Sequence, residues 1–143
     1  MNLSSEMLKL DNQLCFPVYV ASRKITSLYL PYLKQLSLTY TQYITLLVLW
    51  EQKSITVKDL GSKLYLDSGT LTPLLKKLEQ MHLIVKTRAS NDERSVIVSL
   101  TKQGEEMYDK VLDLPEKIFC DSKLSMEEAV WLREHLKSFI NAF

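Results

Sequence analysis

DSGTLTPLLKKLEQMHLIVKTRASNDERSVIVSL, residues 67–100, reads as a capped amphipathic helix followed by two short strands around a polar tip. Asp67 or Ser68 can accept hydrogen bonds from the first free N–H groups of that helix. Pro73 removes one helix hydrogen bond, but it lies near the helix start, so we expect a local distortion and not a break. Leucines at helical spacing predict one apolar face. They are Leu71, Leu74, Leu75 and Leu78.

The residues that follow the helix have the pattern of a β-hairpin. A strand beginning at Ile84 leads into the polar residues 89–94, and apolar residues then alternate over 96–100. A helix followed at once by a hairpin predicts the recognition helix and wing of a winged helix-turn-helix. Upstream, residues 54–56 predict a small strand added to the wing, and residues 57–64 predict the short first helix of the motif.

The predicted recognition helix carries polar residues suited to DNA on the face opposite its leucines. Short hydroxyl side chains followed by two cations match the base edges and phosphates of a major groove. These residues are Ser68, Thr70, Thr72, Lys76 and Lys77. The alternative is a helix and hairpin on an ordinary soluble surface, where the charges serve only solubility.

The charge distribution agrees with a DNA-binding module in the middle of the chain. The net charge is only +1, yet residues 53–102 hold nine Lys/Arg against five Asp/Glu. This segment therefore carries +4 and the two ends together carry −3. A basic duplex-binding surface with acidic flanks would have this distribution.

Length and hydropathy predict a single domain, residues 1–143, able to bury its own core. Its predicted fold is mainly α: a winged helix-turn-helix module over about 41–100, with dimerisation helices over about 10–36 and 102–143. No apolar run approaches the roughly 18 residues of a membrane span, and the N-terminus lacks a signal pattern. We therefore expect a cytoplasmic protein that does not contact membranes.

The first helix, about residues 10–36, carries a long apolar stripe at three- and four-residue steps. Pro31 predicts a kink or local break in it. Cys15, Phe16 and Tyr19 make a second face apolar, so we expect another subunit of a homodimer to cover it. The stripe consists of Leu14, Val18, Ala21, Ile25, Leu28, Tyr32 and Leu36.

Capping patterns place the remaining helices. Thr41 is predicted to cap a core helix that ends near Glu51, and Thr101 to cap a helix that reaches about Phe119. Residues 120–124 should break that helix. Ser125 with a glutamate three residues later is a capping box for the last helix.

Two cysteines in a cytoplasmic chain rarely form a structural disulfide, and with two unclustered histidines they do not predict a metal site. The ordinary alternative for each is a buried, inert side chain. Cys15 is more notable, because a reactive thiol needs hydrogen-bond donors. Tyr29 lies on nearly the same helix face but roughly 21 Å away. If two first helices crossed antiparallel in a dimer, Tyr29 of one could reach Cys15 of the other, and the same holds for Tyr40.

Four segments together resemble the MarR family of winged-helix dimers, and within it the OhrR-type organic hydroperoxide sensors and related staphylococcal redox regulators. The resemblance covers nearly the whole chain, from Leu10 to Phe143. The segments are 13–16 with Tyr19, 38–43 with Trp50-Glu51, 67–79, and 92–101.

The resemblance implies roles for the thiol region. Cys15 would be the peroxide-sensing thiol, with Tyr29 and Tyr40 of the partner subunit donating hydrogen bonds to it and Phe16 and Tyr19 beside it. Oxidation to a sulfenic acid, followed by capping, would release DNA. In two-cysteine members a second cysteine of the other subunit resolves the sulfenic acid. Cys120 stands at that position, although an inert Cys120 is the alternative.

The resemblance also implies the DNA contacts. The five polar residues of the recognition helix would read the major groove, and Arg88 of the wing would also bind DNA. Arg94 would enter the minor groove, oriented by an ion pair with Asp92. Two recognition helices about 34 Å apart would bind a pseudo-palindromic operator in double-stranded DNA. No cofactor and no metal is implied.

Four functions remain open. The first is a homodimeric repressor switched by organic hydroperoxide or another oxidant through Cys15. The second is a regulator released by a small aromatic or phenolic ligand, in which Cys15→Ser would leave the response intact. A thiol peroxidase would consume peroxide in steady state, and a DNA-free adaptor would show no salt-dependent duplex binding. Neither of the last two explains both the module and Cys15.

Overall fold

The computed structural model describes the backbone of residues 3–90 and 92–143 and the side chains of residues 5–90 and 94–143. None of the helices within these ranges is both long and apolar enough to cross a membrane. The elements are α1 (Leu3–Met7), a 3₁₀ turn (Leu10–Asn12), α2 (Cys15–Gln35), α3 (Tyr40–Gln52), β1 (Ser54–Thr56), α4 (Val57–Leu64), α5 (Ser68–Gln80), β2 (Ile84–Ala89), β3 (Asp92–Leu100), α6 (Lys102–Val111), α7 (Leu114–Ser122) and α8 (Met126–Ile140).

The chain divides into two compact units. One unit combines the N-terminal part up to Leu28 with Asp113–Phe143, and the other is Tyr29–Leu112. The boundary falls inside α2, so one long helix supplies residues to both units. The second unit contains every strand of the described sheet. It is called the winged unit below.

The sheet of the winged unit confirms the predicted wing and the predicted additional strand. Its order is β1-β3-β2, with both pairs antiparallel. Ile55 pairs with Val98, and Lys86 pairs with the same residue from the other side. The polar tip is shorter than predicted, because Ala89 pairs with Asp92 across a register shift and is only 8% exposed. Burial of the Ala89 side chain extends the strand into the residues expected to form the tip.

Both helices of the helix-turn-helix have side-chain caps, at Asp67 as predicted and at Thr56, a cap that was not predicted. Thr56 accepts a hydrogen bond from the Asp59 backbone N–H at the start of α4, and Asp67 accepts one from the Thr70 N–H at 2.8 Å. Tyr65 ends α4 in the left-handed region with φ 53°. The helix α5 continues unbroken through Pro73, as expected. All four predicted leucines of α5 are buried.

The first long helix differs from its predicted range. It begins at Cys15 and not near residue 10, because Gln13 is extended and separates the 3₁₀ turn from α2. Pro17 then lies in the first turn of α2, where its missing N–H costs no helix hydrogen bond. Pro31 does not break the helix, which continues to Gln35. The remaining turns of this 21-residue helix accommodate the loss of one hydrogen bond.

The predicted cap of α3 at Thr41 is wrong. The helix is capped two residues earlier, where the Thr39 hydroxyl accepts a hydrogen bond from the Gln42 N–H at 3.3 Å. The Gln42 side-chain oxygen accepts one from the Thr39 N–H at 2.9 Å. This reciprocal capping box satisfies two backbone donors, whereas a cap at Thr41 would satisfy one.

The predicted helix from residue 102 to about 119 is in fact two helices. Thr101 caps the first as predicted, but α6 ends at Val111 and α7 begins at Leu114. Pro115 explains the break, because its ring would collide with the carbonyl of Val111 in a continuous helix. Cys120 consequently lies within α7 and not in a break, and Lys123 ends that helix with φ 58°. The capping box of Ser125 with Glu128 is confirmed.

Three elements of the winged unit meet around Gly104. The Trp50 indole N–H donates a hydrogen bond to the Gly104 carbonyl at 2.9 Å. A Cβ atom placed on Gly104 would lie 2.0 Å from the Leu83 carbonyl oxygen, so only glycine allows this approach. The Thr101 hydroxyl donates to the His82 carbonyl, and the Thr101 N–H donates to the Leu83 carbonyl at 3.1 Å. The start of α6 therefore fixes the turn between α5 and β2.

Tyr43 is a buried polar member of the core. Its side chain is 3% exposed, and its ring centroid lies 5.6 Å from that of Tyr29. Burial raises the pKa of Tyr43 from 10.0 to about 12, and the neighbouring hydroxyls of Tyr29 and Tyr40 add to the rise. Its phenol therefore stays neutral in the folded chain well above neutral pH.

Gly104→Ala should lower the free energy of unfolding by about 3 kcal/mol, because the new methyl group overlaps the Leu83 carbonyl. Urea unfolding measures the change. Gly69→Ala is the matched control, because its nearest new contact is the flexible Asp67 carboxylate at 3.2 Å. Its effect should stay within about 1 kcal/mol. Equal stabilities of the two variants would contradict the close approach at Gly104.

The stabilisation that depends on neutral Tyr43 should disappear at high pH. The unfolded tyrosine ionises near 10.0, whereas the folded one keeps its proton to about 12. The raised pKa thus contributes stability that is complete below pH 10.0 and is lost as the pH rises through about 12. The stability of the wild type relative to Tyr43→Phe should therefore fall over this interval in urea titrations. A constant difference between the two would exclude the pKa shift.

Candidate DNA-binding and thiol sites

The helix α5 presents its predicted DNA-contacting side chains to solvent. Its four leucines are buried on the opposite face, which fixes the rotation of the helix. The exposed residues include all five predicted contacts: Ser68, Thr70, Thr72, Lys76 and Lys77. Asp67 places its carboxylate on the first turn, where it holds the Thr70 N–H. The hydroxyl and ammonium groups are thus displayed on a rigid, capped helix.

A cleft of about 1140 Å³ lies between α4, α5 and the wing strands. Its floor is apolar, with Leu71 and Leu75 of α5 and Val96 of β3 among the lining residues. Four cations and one carboxylate line the cleft, which gives it a positive charge suited to an anionic ligand such as a phosphate. These charged residues are Lys58, Lys86, Arg88, Arg94 and Asp67.

Two of the predicted wing residues reach this cleft. Arg88 on β2 and Arg94 on β3 are both exposed and both line it, together with Ser68 and Thr72 of α5. The structure thus brings part of the predicted DNA-contacting set together on one cleft. The side chain of Asp92 lies outside the described residues, so its predicted ion pair with Arg94 stays a prediction.

An ion pair connects the recognition helix to the wing. Lys86 on β2 contacts the Glu79 carboxylate near the end of α5, with 3.1 Å between the charged atoms. Both side chains are partly exposed, so the pair contributes little to stability. The sequence did not predict this ion pair or the position of Lys58 on the cleft. The available signal for Lys58 was the single buried face of α4, which leaves Lys58 exposed.

Cys15 is the first residue of α2, and its thiol is free and exposed. Phe16 and Tyr19, predicted to lie beside the thiol, are 38% and 57% exposed. The Arg23 guanidinium carbon lies 5.4 Å from the centre of the Tyr19 ring, and its Nη1 donates to the Tyr19 hydroxyl at 3.4 Å. The alternative of a buried, inert Cys15 does not hold for the single chain.

Three tyrosines of the winged unit form a cluster, called the tyrosine trio below. Tyr29 of α2 contacts Tyr40 edge-on, with 5.2 Å between ring centroids, and contacts Tyr43 at 5.6 Å. Burial raises the pKa of Tyr29 and of Tyr40, and the Tyr40 hydroxyl raises that of Tyr29 further. Neutral phenols keep their O–H protons, so the half-buried Tyr29 and Tyr40 retain hydroxyl groups that can donate hydrogen bonds.

The sequence predicted two members of the tyrosine trio, Tyr29 and Tyr40, but not the third, Tyr43. Tyr43 reads as one more apolar core residue of α3, and in the structure it is indeed buried. The available signal was its spacing, since residues three apart on a helix share a face and Tyr40 is three residues earlier.

Cys120, the predicted resolving cysteine, is also free and exposed. It lies in the last turn of α7, two residues before the helix ends. The alternative of a buried Cys120 therefore does not hold for the single chain either. Both thiols are chemically accessible on the surface of their unit.

Comparison with known proteins agrees with this arrangement. The family model described as transcriptional regulator SarA/Rot matches residues 27–111, more than half of the chain. The organic hydroperoxide resistance transcriptional regulator of Bacillus subtilis (strain 168) is 48% identical over 133 residues, covering 93% of this chain and 90% of the relative.

Solved structures of AbfR, a protein of Staphylococcus epidermidis, are similar along the whole chain. Reduced AbfR bound to DNA matches with a TM-score of 0.79 and 37% identity, covering 99% of both chains. Disulfide-formed AbfR matches with a TM-score of 0.66 and 36% identity, covering 99% of this chain and 96% of that one. These matches confirm the predicted winged helix-turn-helix fold and the predicted resemblance to MarR-type, OhrR-like regulators. The chain belongs to the SarA/Rot family of winged-helix transcriptional regulators, within the MarR-type group that includes the organic hydroperoxide resistance regulators.

Proposed function

We propose that this protein is a homodimeric DNA-binding repressor that senses organic hydroperoxide or another oxidant through Cys15 and releases DNA on oxidation. The observation that carries the proposal is an exposed, free thiol at the start of α2, in a chain whose winged unit displays a cationic cleft. The AbfR relative, solved on DNA in its reduced form and separately in a disulfide form, supports the same pairing of functions.

Dimerisation is supported by the apolar surfaces of the two predicted dimerisation helices. Only Leu33 is buried in α2, and none of the residues of α8 is buried in the described part of the chain. Large apolar side chains on both helices are exposed, and exposed patches of this kind favour association with a second copy. They include Leu14, Phe16, Val18 and Ile25 of α2 and Val130, Trp131, Phe139 and Ile140 of α8.

DNA binding would use α5 in the major groove and the wing beside it. The exposed hydroxyl residues at the start of α5 suit base edges, and its two lysines suit phosphates. Arg88 and Arg94, on the outer part of the wing, would follow the DNA away from the recognition helix. Paired α5 helices in a dimer would bind a pseudo-palindromic operator with half-sites about one turn apart.

The sensing step is an oxidation of Cys15 by the hydroperoxide. The thiolate attacks the outer peroxide oxygen, so that an S–O bond forms and the O–O bond breaks. The electron pair leaves with the alkoxide, which takes up a proton and departs as an alcohol. Cys15 becomes a sulfenic acid. In the two-cysteine form, the Cys120 thiolate of the other subunit attacks the sulfenic sulfur, an S–S bond forms, and the hydroxyl group leaves as water after protonation.

The tyrosine trio would support this chemistry from the partner subunit. Tyr29 and Tyr40 remain neutral donors at physiological pH because burial raises the pKa of each. A neutral donor stabilises the sulfur anion without competing for the oxidant. Phe16 and Tyr19 would shape the apolar approach of an organic peroxide to Cys15.

Arg94→Ala should weaken binding to a duplex selected from genomic fragments and reduce the slope of log affinity against log salt by about one, because one phosphate-region contact is lost. Fluorescence anisotropy over a salt series measures both quantities. Lys110→Ala on α6 is the control, since it removes the same charge from an exposed site that does not line the cleft. If both variants lose affinity equally, the wing has no specific role.

Cumene hydroperoxide in stoichiometric amount should release DNA from the wild type, whereas Cys15→Ser should stay bound. Release from Cys120→Ser as well would make Cys120 dispensable and leave a one-cysteine route. Gel-shift assays with parallel non-reducing gels measure release and covalent dimer formation together. A disulfide-linked dimer that requires both cysteines supports the two-cysteine route, and its absence with intact release supports a one-cysteine route. Release of Cys15→Ser by peroxide would refute the sensing role and favour a ligand-controlled regulator.

A further inference from the structure

The Tyr29 ring contacts two aromatic residues of a single neighbouring helix, α3. Tyr40 contacts it edge-on at an interplanar angle of 66°, and Tyr43 contacts it at 42°. Both partners belong to the first two turns of α3, and the capping box at Thr39 fixes the start of that helix. The arrangement of the Tyr29 ring is therefore set by α3 and not only by its own helix, α2.

Tyr43 is the anchored member of the trio. Tyr29 and Tyr40 are half-buried, whereas Tyr43 is 3% exposed and lies on the core side of α3. A buried aromatic ring has few rotamers available, and it prefers edge or tilted contacts with other rings over loose packing. The fixed ring thus limits the orientations open to Tyr29. An aliphatic side chain at this position would fill the volume without imposing that geometry.

We propose that Tyr43 is a positioning residue that holds Tyr29 in the geometry needed to reach Cys15 of a second subunit. This inference rests on the sensing function proposed above. It assigns Tyr43 no contact with the sulfur or with the oxidant. Its ring acts through Tyr29, and its phenol remains neutral, so it adds no charge beside the two donors.

The alternative is that Tyr43 only fills the core of the winged unit. Removing the ring would then lower stability, and it would alter the oxidation of Cys15 no more than any comparable core defect does. A positioning role predicts instead that the effect depends on the Tyr29 hydroxyl. These two roles are separable by a double-mutant comparison.

The experiment measures the second-order rate constant for oxidation of Cys15 by cumene hydroperoxide in the full-length dimer. A Cys120→Ser background makes sulfenic acid formation the only thiol reaction. Tyr43→Met, whose flexible side chain keeps the core filled, should react about three- to tenfold more slowly. Tyr43→Phe keeps the ring and should stay within about twofold of the wild type. Tyr43→Leu is a second variant without the ring, so the test does not depend on one replacement folding.

Two comparisons decide the interpretation. Tyr29→Phe/Tyr43→Met should be no slower than Tyr29→Phe alone, because Tyr43 acts through the Tyr29 hydroxyl. Leu49→Ala, a fully buried position on the same helix, should lose stability without slowing the oxidation. Multiplicative effects in the double variant, or equal slowing by Leu49→Ala, would overturn the positioning role. A wild-type rate in Tyr43→Met would overturn it as well, while leaving the sensing function intact. Complete resistance of Cys15 to peroxide in the parent would overturn both.

Discussion

The backbone of Gly104 approaches the Leu83 carbonyl so closely that no side chain fits between them. Through this contact the start of α6 is pressed against the turn that joins α5 to β2, and the Trp50 indole ties the same point to α3. The orientation of the recognition helix relative to the wing depends on that turn. Residues of both α5 and β2, the two elements that this turn joins, line the cationic cleft. A methyl group at Gly104 would therefore disturb the turn that joins α5 to β2, although Gly104 itself does not line the cleft.

The parts of the fold that sequence predicted well are those decided locally. The caps at Asp67 and Thr101 each need only a carboxylate or hydroxyl beside the first free N–H groups. The errors arose where two local solutions compete. At the start of α3 the reciprocal box of Thr39 and Gln42 satisfies more donors than Thr41 does, and Pro115 divides a helix whose apolar pattern continues across it.

The candidate sites show the same division between local pattern and tertiary arrangement. The exposed face of α5 follows from helical periodicity, since four buried leucines leave the hydroxyl and lysine residues outside. The convergence of Arg88 and Arg94 with α5 on one cleft requires the hairpin to fold back, which no spacing in the sequence states. Tyr43 was missed because a buried tyrosine looks like any apolar residue in a core helix. Its distinguishing property is a contact with Tyr29, which belongs to a different helix.

The three-stranded part of the wing ends where β1 ends, opposite Ile97. Beyond that point, residues 92–96 of β3 have β2 as their single neighbouring strand in the described sheet. The register of this pair shifts between Arg88 and Ala89, close to the tip. Two-stranded ribbons twist more strongly than strands that have a neighbour on both sides. The part of the wing beside β1, called the root, is therefore stiff, and the two-stranded part beyond it, called the arm, is compliant. Lys86 lies on the root, and Arg88 and Arg94 lie on the arm. In the DNA-binding role proposed above, the arm would follow grooves of different width while the root keeps α5 in register. One protein would then accept operators that differ in shape outside the bases proposed to contact α5.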